Sequence, residues 1–153
     1  MVCYHKQEEW SNKVCHDATQ PAVKVFAINL QSAHEDGETW QFDLEAYRKQ
    51  IHFRTVWLQG FIEEVTDVNN FMLKDSTGSL KVFSCDCVPG DKSWINDGAY
   101  CSVVGTLVRS GAVPEVATLK LADLSANPAH RALWGLEVRE LQLLLACGVG
   151  LRA

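Results

Sequence analysis

The sequence lacks long apolar stretches. No segment approaches the roughly 18 consecutive apolar residues that a membrane-spanning helix requires. The first ten residues, Met1–Trp10, contain no basic segment followed by an apolar run of the kind found in secretory signals. The C-terminus carries no prenylation box, because Cys147 lies too far from the end. We therefore expect a soluble protein of the cytosol or nucleus.

Positive charge is also scarce. The 14 Lys and Arg residues are outnumbered by 19 Asp and Glu residues, which gives a formal net charge of −5. A protein that binds phosphates by itself normally presents a basic face, so the acidic total argues against that class and against docking on an anionic membrane. Because a local basic patch can exist within an acidic total, nucleic-acid binding stays open as an alternative.

Catalytic and metal-binding motifs are missing as well. The sequence contains no glycine-rich phosphate loop and no nucleophile elbow. Cys85 and Cys87 form a single Cys-x-Cys pair, which is a weak metal signal without a second pair. A further cluster near the N-terminus matches the spacing of no common zinc module: Cys3, His5, Cys15 and His16. We expect no enzyme, no metal and no cofactor, and cysteines that are buried or free thiols.

Strand-like segments dominate the middle of the chain. Five stretches are rich in β-branched and aromatic residues and are separated by turn signals: residues 54–66, 71–75, 80–85, 100–108 and 116–121. Gly60 and Gly105 lie inside the first and fourth of these, where a bend or a close approach would require glycine. Five strands with such bends predict a small barrel of the OB type, with a small sandwich as the main competing architecture.

The segment before these strands is less regular. Residues 22–30 alternate in a way that predicts an extended strand, and His34–Gly37 is a turn signal. Residues 39–42 could then return antiparallel to the first strand. Residues 1–20 show no period and are predicted to be an N-terminal tail.

The last element is a predicted helix. Asn127 is a helix-capping residue, Pro128 suits the first helical position, and Gly148 suits the end, so the pattern predicts a helix from about Pro128 to Ala146. The predicted organisation is an OB-fold domain with an N-terminal extension over residues 21–126, the helix over 127–147, and a C-terminal tail over 148–153.

This helix carries two apolar stripes on roughly opposite sides. One stripe contains Trp134, Val138, Leu141 and Leu145, and the other contains Ala132, Leu133, Leu136, Leu143 and Leu144. A helix that packs on one barrel needs a single apolar face. The second stripe is therefore covered either by the N-terminal extension of this chain or by a helix of another subunit, and we favour the second alternative.

Several motifs resemble the RecQ-mediated genome instability protein 2 family. The longest is the segment Leu119–Leu141, which contains Lys-Leu-Ala-Asp-Leu-Ser-Ala-Asn-Pro-Ala-His followed by Leu-Trp-Gly-Leu-Glu-Val. Shorter similarities lie at Val56-Trp-Leu-Gln-Gly60, at Leu73-Lys-Asp-Ser-Thr-Gly78 and in the segment from Pro21 to Val25. The resemblance covers about residues 21–141 and is weak before Pro21 and over residues 31–53.

The resemblance implies a non-catalytic nuclear scaffold. Members of this family are single OB-fold proteins that pair, through their C-terminal helix, with an OB domain of RecQ-mediated genome instability protein 1. The pair supports topoisomerase III and a Bloom-type RecQ helicase in DNA repair, where double Holliday junctions are dissolved without crossovers. The residues expected to contact the partner are Lys24, Trp134, Leu136, Val138, Leu141 and Leu145.

The alternative function is single-stranded nucleic-acid binding, for which OB folds combine basic grooves with stacking aromatic rings. The residues that would serve it are Trp57, Lys74, Lys81 and Trp94, of which Trp94 is expected to be the most exposed aromatic residue. Acidic residues such as Glu63, Glu64 and Asp75 share the same strands and turns, which disfavours this function.

Overall fold

A computed structural model describes residues 22–67 and 69–148 of this chain. Its largest element is a closed barrel of five strands, and a helix that follows the last strand packs against it. The barrel strands are β5 (Thr55–Asp67), β6 (Asn70–Asp75), β7 (Gly78–Phe83), β8 (Tyr100–Arg109) and β9 (Glu115–Asp123). All five predicted strands are confirmed, with ends that differ by one or two residues.

The barrel closes because β5 pairs with two other barrel strands, β6 and β8. β5 pairs antiparallel with β8 over Thr55–Phe61 and antiparallel with β6 over Phe61–Asp67. β6 pairs with β7, β7 runs parallel to β9, and β9 returns antiparallel to β8. Gly60 lies where β5 changes neighbours, and a β-carbon there would approach Lys74 O at 2.6 Å. The predicted need for glycine at this bend is confirmed.

Alternation along the strands fills the barrel with apolar side chains. In β6 and β7 the inward positions are Phe71, Leu73, Leu80 and Val82, and the residues between them face outward. The alternation has the period of two that a sheet with one buried face requires. The barrel interior is therefore a packed core.

The segment before the barrel differs from the prediction of one extended strand over residues 22–30. Only β1 (Val23–Lys24) is extended, parallel to β5, and it is followed by the short helix α1 (Ala27–Gln31). Asp75 accepts a hydrogen bond from Ala27 N at 2.8 Å, and Asn29 accepts one from Phe26 N at 2.8 Å. These two side chains accept hydrogen bonds from backbone N–H groups at the start of α1, which have no partner within the helix. The alternation of apolar residues in the sequence did not reveal this helix.

A separate three-stranded sheet follows, made of β2 (His34–Asp36), β3 (Thr39–Leu44) and β4 (Lys49–Phe53). The predicted turn is present, with Gly37 at φ +63°, but β3 returns along β2 and not along residues 22–30. β4 was not predicted from the sequence. Its inward residues Ile51 and Phe53 join Phe42 of β3 in the hydrophobic core.

The C-terminal helix α2 (Pro128–Ala146) has the predicted bounds. Asn127 Oδ1 accepts a hydrogen bond from Ala129 N at 3.0 Å, and Gly148 adopts φ +81° just after the end. These are the expected start and stop signals. No helix within residues 22–67 and 69–148 is long and apolar enough to cross a membrane.

Two predicted segments cannot be compared with the structure. The N-terminal tail over residues 1–20 lies outside the described residues, and so do residues 149–153 of the C-terminal tail.

The cysteines agree with the prediction in part. Cys85 and Cys101 are buried free thiols, and Cys147 is an exposed one. Cys87 is disulfide-bonded, so the expectation of a free thiol is wrong at that position.

Gly105 offers a test of barrel closure. A β-carbon at this position would overlap Ala117 O and lie 2.7 Å from Val116 Cγ1, at the point where the β8–β9 register shifts. Because backbone cannot yield as a flexible side chain can, we expect Gly105→Ala to lower the free energy of unfolding by about 3 kcal/mol or more in urea titrations.

Gly98→Ala is the matched control. Gly98 has φ +91°, and a β-carbon added to it would meet no heavy atom of the described residues within 4 Å. Only backbone strain of about 1–2 kcal/mol is therefore expected. Equal losses for the two variants would contradict the close approach at Gly105.

Candidate protein-interaction surface

Helix α2 is fixed to the barrel by one face. Trp134, Val138, Gln142 and Ala146, each four residues apart, are buried on this face. Leu141 and Leu145 are half-buried and pack against the same hydrophobic core. The helix contacts β1, β4 and β5, so both the N-terminal segment and the small sheet help to hold it.

A cluster of two tryptophans, a lysine and a glutamate sets the position of this face. The rings of Trp57 and Trp134 lie 5.9 Å apart between centroids. Lys24 Nζ lies 5.0 Å from the Trp57 centroid and 5.9 Å from the Trp134 centroid, and it donates to Glu137 Oε1 at 3.0 Å. One ammonium group therefore joins β1, β5 and α2 through a salt bridge and cation–π contacts.

Trp57 and Trp134 differ in how their indole N–H groups are satisfied. Trp57 Nε1 donates to Ser102 Oγ at 3.0 Å. Trp134 Nε1 is buried and has no hydrogen-bond partner within the described residues. An unpaired buried donor costs about 1–3 kcal/mol. Trp134 is therefore held by ring packing and by the neighbouring cation.

The N-terminal segment makes further polar contacts with α2. Gln142 Nε2 donates to Asn29 Oδ1 at 3.0 Å. The guanidinium of Arg139 lies 5.7 Å from the Phe26 ring centroid. Since these contacts come from residues just before and within α1, they fix the rotation of α2 about its own axis.

The opposite side of α2 is exposed and apolar. Four leucines on it have large exposed fractions: Leu133 at 51%, Leu136 at 62%, Leu143 at 43% and Leu144 at 41%. The exposed alanines Ala129 and Ala132 lie on the same side. We call these four leucines with the two alanines and Glu140 the outer face. A contiguous exposed apolar strip of this kind usually marks a protein-interaction site.

The residues predicted to contact a partner fall on different sides of α2. Leu136 lies on the outer face. Trp134 and Val138 are buried between α2 and the rest of this chain, where they cannot touch a partner directly. Leu141 and Leu145 are half-buried against the core, and the Lys24 ammonium is paired with Glu137. Any effect of Trp134 or Val138 on partner binding would therefore be indirect, through the position of α2, and direct contact by Lys24, Leu141 and Leu145 stays a prediction.

The helical pattern predicted both stripes and favoured a partner over the stripe that contains Leu133, Leu143 and Leu144, but the predicted contact residues included only Leu136 from it. The two stripes are similarly apolar, so periodicity alone does not say which one faces the barrel. Trp134 did not decide the matter either, because a tryptophan ring contributes large buried area in a core and in an interface alike.

The residues predicted for single-stranded nucleic-acid binding are only partly accessible to solvent. Trp57 lies beneath α2 against Trp134. Trp94 is half-buried, packs against the core and donates from Nε1 to Asp91 O at 3.1 Å, so the expectation that it is the most exposed aromatic residue is wrong. Lys74 and Lys81 are exposed on the outward side of β6 and β7, and Lys74 lies opposite Phe61 of β5, whose ring is 37% exposed.

Metal and nucleophile chemistry gains no support from the described part of the chain. No group of three or more His, Cys, Asp or Glu side chains that could hold a metal ion occurs there. The N-terminal set containing Cys3 and His5 lies outside the described residues. Burial raises the pKa of Cys85 and of Cys101, so both thiols stay protonated near neutral pH and are poor nucleophiles.

A closed barrel in the order β5-β6-β7-β9-β8, with a helix packed on it, defines an OB-fold protein. A chain of the S. pombe Stn1-ten1 complex superimposes with a TM-score of 0.64 at 13% identity, covering 85% of this chain and 97% of that chain. A chain of a replication protein A heterotrimer bound to ssDNA gives 0.60 at 18% identity, covering 81% and 97%. At such identities the likeness establishes the fold alone.

The sequence comparison is more specific. Residues 21–142 match the family model described as RecQ-mediated genome instability protein 2. The protein of that name from Gallus gallus is 32% identical over 133 residues, which is 84% of this chain and 97% of the relative. The one from Bos taurus is 33% identical over 123 residues, covering 79% and 78%. The chain belongs to the RecQ-mediated genome instability protein 2 family.

The Lys24–Glu137 contact can be measured by a double-mutant cycle of Lys24→Met and Glu137→Gln. Both side chains are partly exposed, at 25% and 39%, so we expect a coupling of only about 0.5–1 kcal/mol in the free energy of unfolding. The control cycle is Arg109→Met with Glu115→Gln, at 3.6 Å with Arg109 74% exposed, where coupling near zero is expected. Equal couplings in both cycles would contradict a special role for Lys24.

Proposed function

We propose that this chain is a non-catalytic scaffold subunit that forms a heterodimer through the outer face of α2. The observation that carries the proposal is the exposure of four leucines on a helix whose other side is already fixed to the barrel. A docked helix with a second apolar face offers a rigid surface, so little conformational freedom is lost when a partner covers it.

The size of the surface suits a contribution to a stable complex. Full burial of a leucine side chain stabilises by about 1.5–3 kcal/mol, and these four are about half covered already, which leaves about 3–6 kcal/mol before the costs of association. The remainder must come from other contacts across the interface. This favours a partner domain with a surface of its own over a short peptide.

The proposed partner is an OB domain of RecQ-mediated genome instability protein 1, with the C-terminal helices of the two domains packed together. Family membership and the position of the outer face support this arrangement. The pair would act in the nucleus with topoisomerase III and a Bloom-type RecQ helicase, dissolving double Holliday junctions and suppressing crossovers. The chain would supply binding surface, and the enzymatic steps would belong to the helicase and the topoisomerase.

The outer face is tested by Leu136→Glu and Leu143→Glu. A carboxylate at either position would be buried among apolar side chains in the complex, so we expect affinity for the purified OB domain of RecQ-mediated genome instability protein 1 to fall at least about 30-fold. Val113→Glu is the matched control, since Val113 is 49% exposed on the β8–β9 loop and away from α2. Far-ultraviolet circular dichroism should stay unchanged in all three variants. Unaltered binding by both leucine variants would defeat the proposal.

The competing function is tested with a fluorescently labelled single strand. We expect the isolated chain to give no anisotropy change at micromolar concentrations, because its net charge is −5 and the rings of Trp57 and Trp94 are both half-buried, Trp57 against Trp134. Salt-sensitive micromolar binding that disappears in Lys74→Glu with Lys81→Glu would instead favour the nucleic-acid function.

A further inference from the structure

Glu140 is the single ionisable residue among the leucines of the outer face. It lies four residues after Leu136 and three before Leu143, and it is exposed. With Leu133 three residues before Leu136, these positions are spaced three, four and three residues apart. This is the spacing of the contact seam between two helices packed side by side. Glu140 therefore occupies a central seam position and not the rim.

Within residues 22–67 and 69–148, no cation is placed to neutralise Glu140. The positions that neighbour it on the helix surface, three and four residues away, are Leu136, Glu137, Leu143 and Leu144. Glu137 is a second carboxylate, and it is already paired with Lys24. Arg139 is adjacent in sequence but points to a different side of the helix, over the Phe26 ring.

The unpaired carboxylate of Glu140 costs little free energy while water solvates the outer face. Once a partner helix is packed on the leucines, the Glu140 carboxylate is removed from water among apolar side chains. An unpaired buried charge costs several kcal/mol, which would offset most of what the four leucines contribute. A partner that binds this face must therefore supply a positive charge at this point.

We propose that Glu140 determines which helix can bind, by selecting a partner that presents a lysine or arginine directly opposite it. This inference rests on the proposed function, since it concerns the same face. A single charge within an apolar seam sets the register and the choice of partner at some cost in affinity. A second copy of this chain paired in parallel would bring Glu140 against Glu140, so the same residue disfavours self-association.

The decisive variant is Glu140→Leu. If the seam were simply apolar, leucine would add apolar contact and tighten binding. If a partner cation faces Glu140, leucine leaves that cation buried and unpaired, and we expect the dissociation constant for the OB domain of RecQ-mediated genome instability protein 1 to rise at least about 30-fold by calorimetry. Glu140→Lys should weaken binding further, and Glu35→Leu, at an exposed position on β2, should leave it unchanged.

A charge reversal on the partner completes the test. Each lysine and arginine on the partner's docking helix is changed to glutamate, and one of these variants should restore binding to Glu140→Lys. Wild-type chain that fails to bind the OB domain would defeat both the proposed function and this inference. Wild-type binding together with Glu140→Leu binding as tightly or more tightly, or no restoring partner variant, would overturn the inference and leave the proposed function standing.

Discussion

The arrangement of this protein depends on how helix α2 is seated on the barrel. Trp134 lies against Trp57 of β5, and Lys24 of β1 bridges both rings to Glu137. This contact joins residues that are more than 100 positions apart in sequence, and it turns one apolar stripe of α2 inward. The exposure of the outer face depends on this contact, because the leucines face solvent only as long as the helix keeps this rotation. The short helix α1 strengthens the same constraint through Asn29.

The position of α2 also limits which aromatic rings of this OB fold are free to stack on a base. OB folds that bind single strands use exposed aromatic rings beside basic residues. Here Trp57 is used to hold the helix, and Trp94 is half-buried over the loop before β8. Trp57 and Trp94 therefore make internal contacts, while α2 exposes four leucines to solvent.

Much of the fold could be predicted from the sequence, since its signals were local. The barrel strands carry their own alternation and turns, Gly60 and Gly105 mark the bends, and Asn127, Pro128 and Gly148 delimit α2. The segment from Ala22 to Phe53 was harder. The helix α1 depends on Asp75, which is 48 residues away from Ala27, and β4 gains its place by packing Ile51 and Phe53 into a core built by other elements. Contacts between residues that are far apart in sequence cannot be recognised from a short sequence window.

The sequence alone determined that α2 has two apolar sides and that a barrel can cover only one of them. It also determined the family, because the C-terminal motif is long and specific. Only the tertiary structure decided that Trp134 and Val138 face inward and that Leu133, Leu136, Leu143 and Leu144 face outward. The reason is physical: the two stripes are similarly apolar, and the choice between them is made by Lys24, Trp57 and Asn29, which lie on distant segments. The same choice placed Glu140, whose charge looks ordinary in the sequence, at the centre of the surface left open.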